Sequence, residues 1–384
     1  MSIDPTEGLD RREGFPGLEA LRALGWTPEL AEGFAGHGAR GLAPARVTAE
    51  HRGAYSVRSI RPQGPAEGLA VVSGRYRHDS SGPADFPAVG DWVAIDGSPA
   101  DDGATIHARL PRRTAFSRLA AGRRTETQVV AANVDVVFVA MGLDGDFNLR
   151  RLERYLAVAW ASGASPVVLL TKADRCPDVG SRARAVEAAA PAVPVLPISA
   201  LAGIGLDAVR TWLTPGRTAA VLGSSGVGKS TLINVLAGHE LLATSEVRAG
   251  DDRGRHTTTA RQLLALPGGG LVIDTPGMRE LGLWDGGESI GETFAEIDEL
   301  ASACRFADCW HEHEPGCAVL AAIGEGRLPG ERLRSRRKME REAARTEARR
   351  TPSERADARR FARQVRHSAA QAMARKSMPD WGAT

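Results

Sequence analysis

Cysteine is scarce in this chain: four in 384 residues, three of them between positions 304 and 317. A disulfide-stapled secreted fold needs cysteines spread along the chain, so that class is excluded. Thiols bunched in this way point to metal binding in a reducing compartment, and a cytoplasmic location is expected. Long apolar runs are missing too. None approaches the ~18–20 residues that span a bilayer, so no membrane partner is expected. The opening residues, MSIDPTEGLD, are acidic and carry no apolar stretch, so no signal peptide is read there. Lysine is the scarcest charge carrier: Lys172, Lys229, Lys338 and Lys376 stand against 45 arginines. A chain that otherwise uses Arg keeps Lys where a compact ammonium on a thin stem is needed and a planar fork does not fit.

What is present suffices for real cores: 42% of residues are apolar and 25% charged. The length corresponds to two or three domains. The net charge of +2 hides an asymmetry, because residues 325–384 carry 17 basic against 8 acidic side chains. A basic tail on a mildly acidic body suggests a polyanionic partner, although taken alone it reads as a solvated helix of mixed charge. Residues 1–44 show one short helical pattern (Leu18, Leu21, Leu24) and read as a loosely packed extension. From Ala45 to Thr114, short strand-like runs alternate with Gly, Pro and Asp, the texture of a small barrel. From Val134 to about residue 285, continuous apolar runs (VDVVFVA, VVLLT, VPVLPIS, TAAVLG, LVIDT) alternate with helical segments. Such runs are parallel strands covered on both faces, hence a doubly wound α/β domain. Beyond Ser289 the chain turns helical.

Gly223-Ser-Ser-Gly-Val-Gly-Lys-Ser230 fits the phosphate-loop pattern, follows the strand TAAVLG and opens the helical run from Thr231. The backbone N–H groups of Gly223, Ser224, Ser225, Gly226, Val227 and Gly228 turn inward on phosphate oxygens, and the helix N-terminus adds positive potential. Lys229 is expected on the β and γ phosphates, and the Ser230 hydroxyl on Mg²⁺. Asp274-Thr-Pro-Gly277 ends the strand LVIDT and supplies a metal-side acid (Asp274) and a backbone amide for the γ-phosphate (Gly277).

Thr171-Lys172-Ala173-Asp174 resembles the [N/T]-K-x-D element of GTPases. Guanine presents adjacent N1–H and N2–H₂ donors, and the Asp174 carboxylate accepts both; adenine has no such pair, so GTP and GDP are the expected nucleotides. The Lys172 stem is expected along the base plane. Thr171 lacks the carboxamide of Asn, so a weaker tether to the phosphate loop is expected. Ser199-Ala200 resembles the element whose backbone N–H meets guanine O6. In Cys304-x₄-Cys309-x-His311-x₅-Cys317, four soft or borderline ligands suit a structural tetrahedral Zn²⁺. His313 rivals His311, and spacing alone does not decide between them.

The base elements precede the phosphate loop, the reverse of the order in most small GTPases. This permuted order, the tract Gly254-Arg-His-Thr-Thr-Thr259 and the metal spacing together resemble the ribosome small-subunit-dependent GTPase A family, over roughly residues 45–330, including the segment PAVGDWV. The resemblance implies an N-terminal OB-type β-barrel, a central circularly permuted P-loop α/β GTPase domain and a C-terminal helical zinc-binding domain. The expected division is a 1–44 extension, 45–120 barrel, 121–285 GTPase, 286–340 zinc-binding domain and 341–384 basic helical tail. It implies action on the maturing small ribosomal subunit; the expected protein is a monomer that hydrolyses GTP as a release switch in late maturation of the small (30S) subunit and binds its rRNA. The alternative is an RNA-binding assembly factor that works by occupancy with negligible hydrolysis. Among the ligands the resemblance favours His311. Thr258 is expected on Mg²⁺, with Thr257 or Thr259 as alternatives. Met278 follows Gly277 where many GTPases carry a water-orienting Gln, so intrinsic hydrolysis should be slow; the resemblance points to His256 as the catalytic group. The region 45–125 holds 12 arginines against 8 acids, and within it Tyr55, Tyr76 and Trp92 read equally as base-stacking rings or as core.

Overall fold

The computed structural model describes residues 17–61, 64–101, 103–119, 127–191, 193–242, 261–274 and 288–351, with 355–356, 359–360 and 362–363 beyond them. Two helices come first, α1 (Leu18–Ala23) and α2 (Pro28–Gly38). The Thr27 side chain caps α2 by accepting from Leu30 N, and Pro28 fills the first turn, where no N–H is needed. Leu21, Leu24, Trp26, Leu30 and Phe34 are buried against Ile60, Trp92 and Leu110. Residues 17–44 therefore form a packed roof rather than a loose extension. The sequence pattern showed one leucine stripe; the partners that make it a core lie up to 90 residues away.

Five strands close the barrel: β1 (Ala43–Glu50), β2 (Tyr55–Arg61), β3 (Gly64–Val72), β4 (Trp92–Ser98) and β5 (Gly103–Arg109). The ring runs β1-β2-β3-β5-β4 and returns to β1, with β3 and β5 parallel and the other pairs antiparallel. Its interior is filled by Ala45, Val47, Val57, Ala70, Val93, Ile95, Ala104 and Ile106. The short helix α3 (Gly74–Asp79) lies between β3 and β4. This is the OB-type topology. Tyr55 and Trp92 are buried in it, and the half-buried Tyr76 donates its hydroxyl to Asp85 O. None of the three rings serves as an open stacking platform: Tyr55 and Tyr76 pack with the barrel core, and Trp92 packs against Trp26 under the helical roof.

A hairpin of β6 (Ala115–Leu119) and β7 (Thr127–Ala132) leads into the second sheet. Its strands are β8 (Val136–Gly142), β9 (Ser165–Thr171), β10 (Val195–Pro197), β11 (Thr218–Gly223), β12 (Gln262–Ala265) and β13 (Leu271–Asp274). Their order is β10-β9-β8-β11-β13-β12, parallel except for β12. Helices α4 (Leu149–Ala161) and α5 (Val179–Ala189) cover one face through Leu152, Leu156 and Val186. Helices α6 (Leu206–Arg210) and α7 (Lys229–Ala237) cover the other through Val209, Leu232 and Ile233. Burial on both faces explains why these strands read as unbroken apolar runs. Edge strand β12 also meets the barrel, pairing Gln262 with Ala49, and Arg261 beside it bonds Glu50 at 3.2 Å.

Two buried arginines join the parts. Arg46 of β1 donates to Leu24 O, to Gly90 O and Asn133 O at 3.3 Å, and to the Thr218 hydroxyl at 2.8 Å. It thus touches the helical roof, the barrel, the linker and the second sheet. Burial pulls its pKa down to about 10, so the charge persists at neutral pH. Gly25 must be glycine here: at φ +86°, a Cβ would lie 2.7 Å from the Arg46 guanidinium and 2.8 Å from Gly216 O. The C-terminal helices are α8 (Glu288–Thr293), α9 (Ala295–Ala301), α10 (Ala318–Gly324) and α11 (Gly330–Arg349). Their Ile290, Phe294, Ile297, Val319, Leu333 and Met339 share one core with α4. Arg332 of α11 donates to Glu153 at 2.9 Å, Ala189 O at 2.8 Å, Thr293 O at 3.1 Å and Glu296 at 2.6 Å. Bonds from a charged donor to buried acceptors contribute about 1.5–3 kcal/mol each. Among the described residues no helix is long and apolar enough to cross a membrane.

Candidate nucleotide-binding site and cysteine cluster

Gly142, Thr171, Gly223 and Asp274 are the last residues of four parallel strands, so the loops that follow them open at one edge of the sheet. Ligands of open α/β sheets bind at that edge. The loop 223–228 carries positive φ at Gly223 (157°), Gly226 (71°) and Gly228 (102°), and α7 starts directly after it. Gly228 caps α7 without a side-chain bond, which leaves the first-turn amides to an anion. Lys229 folds back over the loop, its Nζ donating to Gly223 O at 2.9 Å and Ser224 O at 2.6 Å. Ser230 and Thr231 follow in the first turn of α7. Burial raises the carboxyl pKa of Asp274, and the Lys229 charge acts against that rise.

The base element lies beside this loop. The Thr171 hydroxyl donates to Val227 O at 2.7 Å, so the tether expected to be weak for want of a carboxamide is supplied by a hydroxyl. Lys172 adopts a left-handed backbone (φ 60°) and its ammonium pairs with Asp144 at 2.6 Å. Ala173 N donates to Ile198 O at 3.0 Å, which joins the base element to the Ser199-Ala200 loop. Ser199 is buried and its hydroxyl accepts from Ala202 N at 3.2 Å, so Ser199 shapes the loop that carries Ala200. The Asp174 side chain is 31% exposed, and its ion-pair partner among the described residues is Arg175 at 3.9 Å. The structure thus gathers residues 171–174, 199–200, 223–231 and Asp274 at one edge. His256, Thr257, Thr258, Thr259, Gly277 and Met278 lie outside the described residues.

Cys304, Cys309, His311 and Cys317 place their donor atoms within 4.8 Å of one another. Cys304 Sγ is 3.9 Å from Cys317 Sγ, and His311 Nδ1 is 3.6 and 3.4 Å from those two sulfurs. A tetrahedral zinc with bonds near 2.3 Å sets ligand atoms about 3.8 Å apart, so the donor set and spacing fit that ion. His311, not His313, joins the group, from a left-handed backbone position (φ 58°).

Sequence reasoning missed Glu314. Its carboxylate accepts from the backbone N–H groups of Trp310, Glu312 and His313 at 2.8, 2.7 and 3.0 Å and so organises the cluster loop. Desolvation pushes the carboxyl pKa up, yet the backbone donors together hold it down at about 2. Also missed was Trp310, 78% exposed between two of the ligands; its position inside the metal spacing was the available signal.

Fold and site together define a P-loop nucleotide-binding protein with a circularly permuted sheet. The RsgA GTPase family model matches residues 109–284. The small ribosomal subunit biogenesis GTPase RsgA of Opitutus terrae is 50% identical over 333 residues, covering 84% of this chain and 90% of that one. The protein of the same name from Streptomyces coelicolor is 47% identical over 346 residues, covering 89% and 91%. Among solved structures, YjeQ from Thermotoga maritima superposes with a TM-score of 0.59 at 25% identity, covering 79% of this chain and 99% of that one. YloQ, described as a circularly permuted GTPase, shares the fold with a TM-score of 0.55 at 23% identity, covering 79% and 95%. The chain belongs to the RsgA GTPase family, and as such it binds guanine nucleotide and hydrolyses GTP.

Proposed function

We propose that this GTPase is a release switch in late maturation of the small (30S) ribosomal subunit, and that docking on the subunit stimulates hydrolysis. Support comes from relatives named as small ribosomal subunit biogenesis GTPases, which align over 84–89% of the chain. The observation that carries the reading is the bonding of the base element to the phosphate loop, Thr171 to Val227 O at 2.7 Å, at the edge where four strand ends meet. Asp174 accepts from guanine N1–H and N2–H₂, with the Lys172 stem along the base plane and Ala200 near O6. Amides of residues 223–228 and the Lys229 ammonium hold the phosphates. Ser230 and Thr258 would hold Mg²⁺, with Asp274 on the metal side, and the ion would supply neutralisation of the triphosphate's negative charge. Water attacks the γ-phosphate in line, and His256 orients it in place of the usual Gln. The protein works as a cytoplasmic monomer divided as 1–44, 45–120, 121–285, 286–340 and 341–384, and contacts rRNA through its basic flanks.

The reading is tested by GTP turnover with and without purified small subunits at two salt concentrations. Turnover should rise with subunits and the rise should shrink as salt increases, because phosphate contacts release counterions. Turnover unmoved by subunits, with binding intact, would leave an occupancy factor instead.

Cys304, Cys309, His311 and Cys317 would hold one zinc ion in a closed, structural shell. Stoichiometric zinc is expected in the purified chain, lost in His311→Ala and kept in His313→Ala. Zinc retained at full stoichiometry in His311→Ala would refute this ligand set.

A further inference from the structure

The loop between β8 and α4 places two carboxylates beside a phosphate-binding loop, where an anionic ligand should repel them. Both are committed to the protein instead. Asp144 Oδ2 pairs with Lys172 Nζ at 2.6 Å. Asp146 Oδ2 accepts from the Ser224 hydroxyl at 2.5 Å, and its Oδ1 accepts from Arg151 Nη2 at 2.6 Å. The two acids are also coupled to each other, since Asp146 N donates to Asp144 Oδ1 at 3.1 Å. Asn148 and Arg151 anchor the loop on the first turn of α4, where the Asn148 side chain accepts from Arg151 N. Gly142 makes room: a Cβ there would lie 2.6 Å from Asp144 Oδ1. Lys172 meanwhile holds a left-handed backbone that non-glycine residues adopt only when their surroundings impose it.

We infer that Asp144 and Asp146 are positioning residues of the nucleotide site: Asp144 holds the Lys172 ammonium of the base element, Asp146 holds Ser224 of the phosphate loop, and the β8–α4 loop ties the two ends of the site together. This rests on the reading of residues 171–174 and 223–230 as base and phosphate elements. Each acid is held by protein partners in the base element and the phosphate loop, so each acts on the affinity for GDP and GTP alike and far less on turnover of bound GTP. Asp144 acts through Lys172, because its own charge has no constructive role next to a polyanion.

The test is a double-mutant cycle on the full chain, read as Kd for fluorescent GDP and as KM and kcat for GTP. Asp144→Ala should raise Kd and KM about tenfold, as for loss of a charge-assisted hydrogen bond, and change kcat far less. In a Lys172→Ala background the same substitution should change Kd less than about twofold, because its target is gone. Asp144→Asn keeps an oxygen for the ammonium and should recover part of the affinity; it serves as the readout if the alanine variant does not fold. Additive effects of the two alanine substitutions, or equal losses in kcat and affinity, would overturn the inference. If Lys172→Ala alone leaves affinity unchanged, the base-element reading fails, and that failure is separate from additivity in the cycle. A parallel cycle of Asp146→Ala with Ser224→Ala should be equally non-additive, and additivity there removes Asp146 from the proposal.

Discussion

Lys229→Ala is expected to reduce GTP turnover about 10²–10³-fold, with a smaller loss of nucleotide affinity and an unchanged melting temperature. In phosphoryl transfer the negative charge spreads over the equatorial and bridging oxygens as the bond to the leaving group loosens. An ammonium fixed over the loop stabilises that charge more than it stabilises bound GTP, and losing one such preorganised donor costs on the order of 10²–10³ in rate. The structure shows the preorganisation. Gly223 O and Ser224 O hold Nζ at 2.9 and 2.6 Å, so little side-chain freedom is left to lose when phosphate arrives. Lys229→Arg is expected to be nearly as inactive, because a guanidinium is too wide for a pocket framed by two loop carbonyls. The chain's own composition agrees with this: 45 arginines, yet lysine here. Single-turnover rates with saturating GTP, beside Kd for GTP, provide the check. An arginine variant with near-normal rates would show that any cation at this position suffices.

How far the sequence reaches can be seen residue by residue. The parallel strands were legible because burial on both faces leaves an unbroken apolar run, as in Val136–Gly142. The phosphate loop was legible because strand, loop and helix are contiguous in sequence. Asp144 and Asp146 were not, because Lys172 and Ser224 lie 28 and 78 positions further on. No local pattern separates an acid that serves a distant cation from a solvated one. Arg46 and Arg332 were invisible for a related reason: in an arginine-rich chain, a buried clamp reads like any surface charge. Tyr55 could be placed in the barrel core, and Trp92 under the helical roof, only once the strand faces were known. Spacing left His311 and His313 open and only the resemblance favoured His311, whose Nδ1 the structure places beside the cysteine sulfurs. Residues 243–260, which carry His256 and Thr258, stand outside the described residues, and their roles rest on sequence resemblance.

The permuted order has a mechanical consequence. In chain order the phosphate loop, β12 and β13 come last in the sheet, and the C-terminal helices follow β13. Those helices share a core with α4 and are locked to it by Arg332 through Glu153. On the other side, β12 bonds to the barrel at Ala49 and Arg261 to Glu50. Strand β12 is thus in direct contact with the barrel, while the C-terminal helices reach the sheet through α4. A partner that moves either unit has a short path of packed groups to the nucleotide site.

Asp174→Asn is expected to lower affinity for GTP by roughly 10³-fold or more and to create measurable affinity for xanthosine triphosphate. A carboxylate offers two acceptors to guanine N1–H and N2–H₂. A carboxamide offers one acceptor and one donor, so its NH₂ faces the guanine amino group and leaves two donors opposed. Sites built around a specific polar match reject the mismatched partner by such large factors, because buried polar groups are left unpaired. Xanthine keeps N1–H but carries a carbonyl in place of the 2-amino group, which restores a complementary pair with Asn. The structure favours a clean result. The Lys172 ammonium is already engaged by Asp144 at 2.6 Å, and Arg175 stands 3.9 Å away, so the Asp174 carboxylate remains available to the base. Competition titrations of GTP, xanthosine triphosphate and ATP against a fluorescent nucleotide, on both forms, measure the switch. If the asparagine variant keeps its preference for GTP, Asp174 does not read the base, and guanine selectivity must come from the backbone of the Ser199-Ala200 loop.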